Sequence, residues 1–152
     1  MAIELSAATF PFTARLNRAQ IEELHQMYQA EWWSRGRKLH DVSRVVEHSD
    51  LVLAFCDPET GRLAAFARVL TDYVYKAMVF DVIVDRAHRG SGLGRMLLDA
   101  ITSHPALLFV ENIELYCRPE LVPFYEKWGF TADLSQLRFM RKTQRPLCGL
   151  GK

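Results

Sequence analysis

Residues 79–103 read VFDVIVDRAHRGSGLGRMLLDAITS, and this stretch decides the fold. Val79–Val84 is apolar and rich in β-branched residues apart from Asp81, which reads as a strand. A glycine-rich turn follows, Arg89-Gly90-Ser91-Gly92-Leu93-Gly94. Leu93, Met96, Leu97, Ala100 and Ile101 then recur at helical spacing and make one apolar face. A helix that starts at such a turn leaves backbone N–H groups unpaired, and its dipole favours negative charge. Glycines let the backbone bend sharply and let an anion approach closely. Arg89 and Arg95 add positive charge on either side. The turn is therefore expected to hold a diphosphate. Its glycines run G-x-G-x-G with no Gly-Lys-Ser/Thr, which is neither P-loop nor Rossmann spacing.

Outward from this unit, the chain alternates short strands and helices. Ile3–Phe12 reads as a first strand. Asn17-Arg18-Ala19-Gln20 is a capping box that opens a helix running to about Trp33, with Ile21, Leu24, Met27, Tyr28 and Trp32 near one face. Asp41 is expected to cap a second helix through His48. Leu51–Cys56 is a continuous apolar run, and Asp57-Pro58-Glu59-Thr60-Gly61 is a strong turn, so Arg62–Leu70 should return as the second arm of a hairpin. After the glycine turn and its helix come a strand over Asn112–Tyr116 and a short helix over Leu121–Trp128 with Gly129 as its cap. Phe130–Leu134 and Gln136–Met140 read as two last strands, and the tail after about residue 142 as frayed. The class is mixed α/β.

Composition bounds the rest. The 152 residues suit one domain spanning 1–152. A net charge of +1 gives no general pull toward nucleic acid or membrane, and no apolar run approaches the ~20 residues that span a bilayer. Cys56, Cys117 and Cys148 are odd in number and widely spaced, which argues against a disulfide framework or a metal site and for a reducing, cytoplasmic setting. His25, His40, His48, His88 and His104 are scattered without metal-ligand spacing, so solvated or capping roles are expected of them.

Two motifs together resemble one family. Arg89, Gly92 and Gly94 meet the Gln/Arg-x-x-Gly-x-Gly/Ala pattern of the acyl-CoA turn in GCN5-related N-acetyltransferases (GNAT), and Phe124-Tyr125 with Gly129-Phe130 resembles the family's Phe-Tyr-x-x-x-Gly-Phe segment. The resemblance covers roughly Leu51–Arg141 and is looser over the first 50 residues. It implies a mostly antiparallel sheet of six to seven strands flanked by about four helices, in which the Val79 and Ile113 strands run parallel and splay apart. It also implies transfer of an acetyl group from acetyl-CoA to an amine by direct attack, with no metal. A catalytically silent acyl-CoA sensor is the competing reading. Neither motif reads the length of the acyl chain, and the acceptor can be a small amine or a protein amine. Dimers are common in the family, which leaves a homodimer open.

The resemblance also distributes roles. Arg89, Gly90, Ser91, Gly92, Leu93, Gly94 and Arg95 would hold the cofactor phosphates, and the backbone of Val82, Ile83 and Val84 the pantetheine arm and thioester carbonyl. Tyr125 would protonate the departing thiolate, against the alternative of a half-buried core tyrosine. Asp81 is the charged residue inside an apolar strand; partial desolvation should raise its pKa toward that of a base, or it could anchor a substrate ammonium, or pair structurally with an arginine. Glu114 is a weaker candidate base and Asp72 weaker still. Many relatives carry Asn or Asp where this chain has Cys117-Arg118-Pro119-Glu120, and Arg118 could meet cofactor phosphate or an acidic substrate group or cap a surface. Trp32, Trp33, Tyr73, Tyr75 and Tyr116 are either packing residues or an aromatic wall of the acceptor site.

Overall fold

The computed structural model describes residues 10–145. A five-stranded sheet in the order β1-β2-β3-β4-β5 forms the centre. Its strands are β1 (Phe12–Thr13), β2 (Leu51–Cys56), β3 (Leu63–Thr71), β4 (Lys76–Val84) and β5 (Asn112–Glu114). The first four pair antiparallel in sequence order, and β5 joins β4 in parallel. The expected strand over Ile3–Phe12 lies outside the described residues except at its end, where β1 begins.

Two helical layers cover the sheet. On one face α1 (Arg18–Gln29) and α2 (Leu39–Glu47) bury Leu24, Met27, Tyr28 and Val42 against Val52, Ala54, Phe66 and Ile83. On the other, α3 (Leu93–Thr102) buries Leu93, Leu97, Leu98 and Ile101 against Leu53, Ala65, Ala67, Val69 and Val79. The short α4 (Val122–Glu126) lies beside α3, tied to it by the Trp128 indole N–H donating to Asp99 Oδ1 at 2.8 Å. Both faces of β2 and β3 are covered, which is why those strands read as near-continuous apolar runs.

Local chemistry explains the helix boundaries. Asn17 Oδ1 accepts from the Gln20 N–H at 2.8 Å and Gln20 Oε1 from the Asn17 N–H at 3.0 Å, the reciprocal bonds of the capping box. The helix α1 ends at Gln29, short of Trp33, because Ser34 Oγ donates to the Tyr28 carbonyl at 2.8 Å and takes over a C-terminal acceptor. Asp41 is not the cap of α2: Lys38 is, and Asp41 sits in the first turn, where its charge suits the dipole.

The two strands expected at Phe130–Leu134 and Gln136–Met140 are not formed; that segment is irregular. Asp133 Oδ1 accepts from the Ser135 N–H, and Ser135 has φ 59°, so a tight turn replaces the hairpin. The sheet accordingly has five strands, not six or seven, among the described residues.

The feature that positions the site is the divergence of β4 and β5. Their pairing runs from Lys76↔Asn112 to Met78↔Glu114 and stops. From Val79 onward β4 has no neighbour on that side among the described residues. Just there β4 bulges: Phe66 pairs with Ile83 and Arg68 with Phe80, so Ala67 faces both Asp81 and Val82.

Candidate active site

The glycine turn has the geometry of an anion cradle. Gly90 and Gly92 have φ of 83° and 85°, in the left-handed region. Gly92 is the N-cap of α3 and no side chain caps the helix, so the first amides of Leu93, Gly94 and Arg95 remain available. A Cβ built at Gly90 or Gly92 meets nothing within 4 Å, so the backbone lies open to a ligand on this side. Gly94 differs: a Cβ there would touch the Phe124 ring at 3.5 Å, an ordinary contact, so Gly94 marks the close passage of α3 past α4. The Ser91 hydroxyl is turned back onto the His88 carbonyl. The Arg89 guanidinium pairs with Glu31 at 2.6 Å, so one of the two expected flanking charges is already neutralised.

The turn is also braced from behind. His88 Nε2 lies 2.8 Å from Asp57 Oδ2 and Nδ1 3.0 Å from Asp85 Oδ2. Asp57 comes from the β2–β3 turn, 31 residues away in sequence. The hydrogen bonds to Asp57 and Asp85 raise the His88 pKa, and the bond from His88, together with those from the Thr60 and Glu59 N–H groups, lowers that of Asp57 to about 2. Linear spacing gave no sign of this bridge, because Asp57 meets His88 only through the sheet. His104 does fill a capping role, its Nδ1 accepting from the Ala106 N–H.

Asp81 does not have the environment expected of a base. Its φ is 57°, and the bulge turns its carboxylate toward α1. There Oδ2 accepts from the Tyr28 hydroxyl at 2.9 Å, Arg37 Nη1 at 2.9 Å and Arg68 Nε at 2.8 Å. The side chain is 7% exposed. Burial pushes its pKa up, but the two guanidiniums and their hydrogen bonds outweigh that, and the result is lowered. The expected rise is thus reversed, and the pairing with arginine is what forms. Tyr28 is driven far above its ordinary value, first by burial and then by Asp81, so it stays a neutral donor. Arg37 and Arg68 were not singled out in the sequence, and Tyr28 was read only as part of a helix face. The one available signal was Arg68 inside an apolar strand, the counterpart of Asp81.

Tyr125 sits on α4, 9% exposed, edge-on to Phe124 and Phe130. Burial and neighbouring Cys117 push its pKa up to about 12. Its hydroxyl bonds to no other group among the described residues, and no fully buried side-chain polar atom there lacks a partner, so the hydroxyl reaches accessible space. Val82 and Val84 of β4 pack against the same apolar cluster as Tyr125, Phe124 and Cys117. The strand that diverges from β5 and the tyrosine therefore share one wall.

The aromatic candidates divide. Phe80 meets Tyr116 edge-on at 6.3 Å, Tyr116 meets Phe139 at 5.3 Å, and Trp33 meets Tyr28 at 5.9 Å. Trp32 lies under the Arg118 guanidinium at 4.0 Å. These residues gather on the α1 side of the divergence. Tyr73 and Tyr75 do not join them: they sit in the β3–β4 loop at the paired end of β4, and Lys76 is already roughly 16 Å along the strand from Asp81 at 3.3 Å per residue. Asp72 shapes that loop, its Oδ1 accepting from the N–H groups of Val74, Tyr75 and Lys76, which lowers its pKa. Glu114 pairs with Lys76.

Comparison with known proteins agrees with this geometry. A profile of the acetyltransferase (GNAT) family matches residues 16–130. Serotonin N-acetyltransferase 2, chloroplastic, of Oryza sativa subsp. japonica is 32% identical over 139 residues, covering 90% of this chain and 69% of that protein. GCN5-related N-acetyltransferase 1, chloroplastic, of Arabidopsis thaliana is 29% identical, covering 80% of this chain and 63% of that one. This chain thus spans about two thirds of the length of these relatives. Among solved structures, an acetyltransferase assigned to the GNAT family from Xanthomonas campestris pv. campestris superposes with a TM-score of 0.79 at 28% identity, covering 91% of this chain and 95% of that one. With the profile spanning most of the described residues, the chain belongs to the GCN5-related N-acetyltransferase family.

Proposed function

We propose that the protein transfers an acetyl group from acetyl-CoA to a primary amine by direct attack. The observation that carries this reading is the uncapped start of α3 behind left-handed Gly90 and Gly92, opening beside two strands that part after Met78. The amides of Leu93, Gly94 and Arg95 would hold the diphosphate, with Arg95 as the nearby charge, because Arg89 is engaged by Glu31. The unpaired edge of β4 offers N–H and C=O groups of Val82, Ile83 and Val84 to an amide-containing arm. An N–H in that stretch would polarise the thioester carbonyl. The bound acetyl-CoA supplies an acyl group activated as a thioester, whose C–S bond breaks as the C–N bond forms.

Tyr125 answers the negative charge that develops on the departing sulfur. With its pKa pushed up to about 12, its hydroxyl keeps its proton at neutral pH, and it is committed to no other protein group among the described residues. The apolar surroundings that lift the phenol also disfavour a bare thiolate beside it, so a hydrogen bond or proton from Tyr125 lowers the barrier. Asp81, held by two arginines, is reserved for shaping the acceptor side, and the amine proton leaves to solvent through the open cleft.

The test is thiol release from acetyl-CoA across arylalkylamines, polyamines, aminoglycosides, amino acids and lysine peptides. A relative named for serotonin brings arylalkylamines onto that panel. Amine-dependent release that falls at least about tenfold in Tyr125→Phe, with acetyl-CoA affinity retained, supports the reading. Binding of acetyl-CoA without amine-dependent release from any class would replace it with the sensor reading.

A further inference from the structure

The face beside the bulge carries more guanidinium than carboxylate. Arg68 stacks over Phe80 at 4.7 Å, Arg37 over Tyr28 at 4.6 Å and Trp33 at 5.4 Å, Arg118 over Trp32 at 4.0 Å, and Arg141 over Tyr116 at 5.1 Å. Phe80 and Tyr116 are themselves in contact, which joins the Arg68 and Arg141 pairs, and Asp81 joins Arg68 to Arg37. The carboxylates that meet the arginines are Asp81, shared by Arg37 and Arg68, and the exposed Glu120, 3.7 Å from Arg118. Lys76 and Glu114 pair with each other at the far, paired end of β4. One buried carboxylate thus faces two guanidiniums, and the cluster keeps a positive charge.

That charge has donors to spare. Arg68 gives its Nε–H to Asp81, and neither of its terminal nitrogens bonds to another protein group among the described residues. The side chain is 14% exposed, and no fully buried polar side-chain atom there lacks a partner, so those nitrogens reach accessible space. Arg37 likewise spends Nη1 on Asp81 and is 30% exposed. Both guanidinium planes are fixed by the rings beneath them, so little rotamer freedom is lost when they bind a ligand. Asp81 precedes Val82, where the thioester carbonyl is expected, so an anion held here lies close to the attacking nitrogen. A free ammonium meets less: three donors already converge on Asp81 Oδ2, only Oδ1 is without a protein partner among the described residues, and the single carboxylate is outnumbered by the two guanidiniums.

We propose that Arg68, with Arg37, receives a carboxylate on the acceptor, and that the acceptor is an α-amino acid with an apolar or aromatic side chain rather than the corresponding decarboxylated amine. This rests on the amine-acetylation reading above. The carboxylate lies on the guanidinium edges, the side chain against Phe80, Tyr116 and Trp33, and the α-amine toward the thioester. Two charge-assisted hydrogen bonds to a partly desolvated carboxylate correspond to a preference of about tenfold or more.

The experiment uses matched pairs that differ by the carboxylate alone. Calorimetry on the full chain in excess CoA compares N-acetyl-L-phenylalanine with N-acetylphenethylamine, and N-acetyl-L-leucine with N-isopentylacetamide. Initial rates compare the four parent amines. At least one carboxylate member should bind about tenfold tighter than its partner, and the gap should shrink below about threefold in Arg68→Gln. Equal or weaker binding of both carboxylate members to the wild-type protein overturns the proposal and does not depend on whether any variant folds. A gap that persists in a folded Arg68→Gln also overturns it. Transfer to phenethylamine but not phenylalanine sinks the carboxylate site and leaves acetyl transfer standing. Carboxylate-dependent binding with no transfer to any amine does the reverse.

Discussion

Replacing Asp81 by asparagine separates a base from a structural anion. The substitution keeps size and shape and removes the charge that Arg37, Arg68 and Tyr28 converge on. Two guanidinium nitrogens bonded to one oxygen are within about 6 Å of each other, and at an effective dielectric near 20 two unit charges at that distance repel by roughly 3 kcal/mol. Removing one partner of a fully buried ion pair costs about 3–5 kcal/mol. Arg37 is 30% exposed and can swing toward solvent, which relieves part of either figure. The expected loss is therefore about 2–4 kcal/mol, a large share of the roughly 5–15 kcal/mol that holds a domain together. In urea, followed by circular dichroism, the midpoint should fall by about 1–2 M, and the thermal midpoint by roughly 6–12 °C.

The pH dependence gives the same substitution a second readout. The folded pKa of Asp81 lies below its ordinary value, so its contribution is complete above about pH 4 and is lost as pH falls through the lowered value. Wild type should show that acid loss, and Asp81→Asn, already lacking the contribution, should show a shallower one. The reasoning fails if Asp81→Asn is within about 1 kcal/mol of wild type while turnover drops a hundredfold at unchanged acetyl-CoA affinity. That outcome would return Asp81 to the role of base or ammonium anchor.

Three further outcomes follow from the cofactor side of the site. With a Tyr125 pKa near 12, the rate at saturating substrates should show no alkaline limb attributable to this acid up to about pH 10; a limb near pH 8–9 that vanishes in Tyr125→Phe would refute the assignment. Gly92→Ala forces a side chain into φ 85° and should cost about 1–2 kcal/mol of stability and weaken acetyl-CoA binding, whereas Gly94→Ala meets one ordinary contact and should bind nearly as wild type; equal effects in binding titrations would argue against the left-handed turn. His88→Gln should lower the thermal midpoint more at pH 6 than at pH 9. The raised His88 pKa means that its bridge is fully present below about pH 6.5 and is lost as pH rises through the folded value, and a pH-independent difference would count against a charged bridge.

Much of the fold was legible because its signals are local. The capping box at Asn17, the turn at Asp57–Gly61 and the apolar face from Leu93 to Ile101 each lie within a dozen residues and formed as read. The last two strands failed for the opposite reason. Phe130–Leu134 and Gln136–Met140 have apolar residues at suitable spacing, but strand formation needs a partner edge, and β5 is paired for only three residues. The glycine turn was legible because it rests on backbone conformation, which glycines announce. The site was not legible where it rests on long-range partners: Asp81 with Tyr28 spans 53 residues, Asp81 with Arg37 44, and His88 with Asp57 31.

The strained residue ties these observations into one device. A non-glycine at φ 57° in the middle of a strand persists only where its surroundings over-determine it. Here three donors on one carboxylate oxygen supply that constraint, and each comes from a different element: Tyr28 from α1, Arg37 from the loop after it, Arg68 from β3. The bulge they hold open places Val82 out of register with β3 just beyond the point where β4 leaves β5. The backbone that would grip the cofactor arm and the guanidiniums that would face the acceptor are thereby set by a single residue. On this geometry the charge at Asp81 acts by holding its three donors, and so loss of activity in a variant at this position, taken without its stability, would not identify a base.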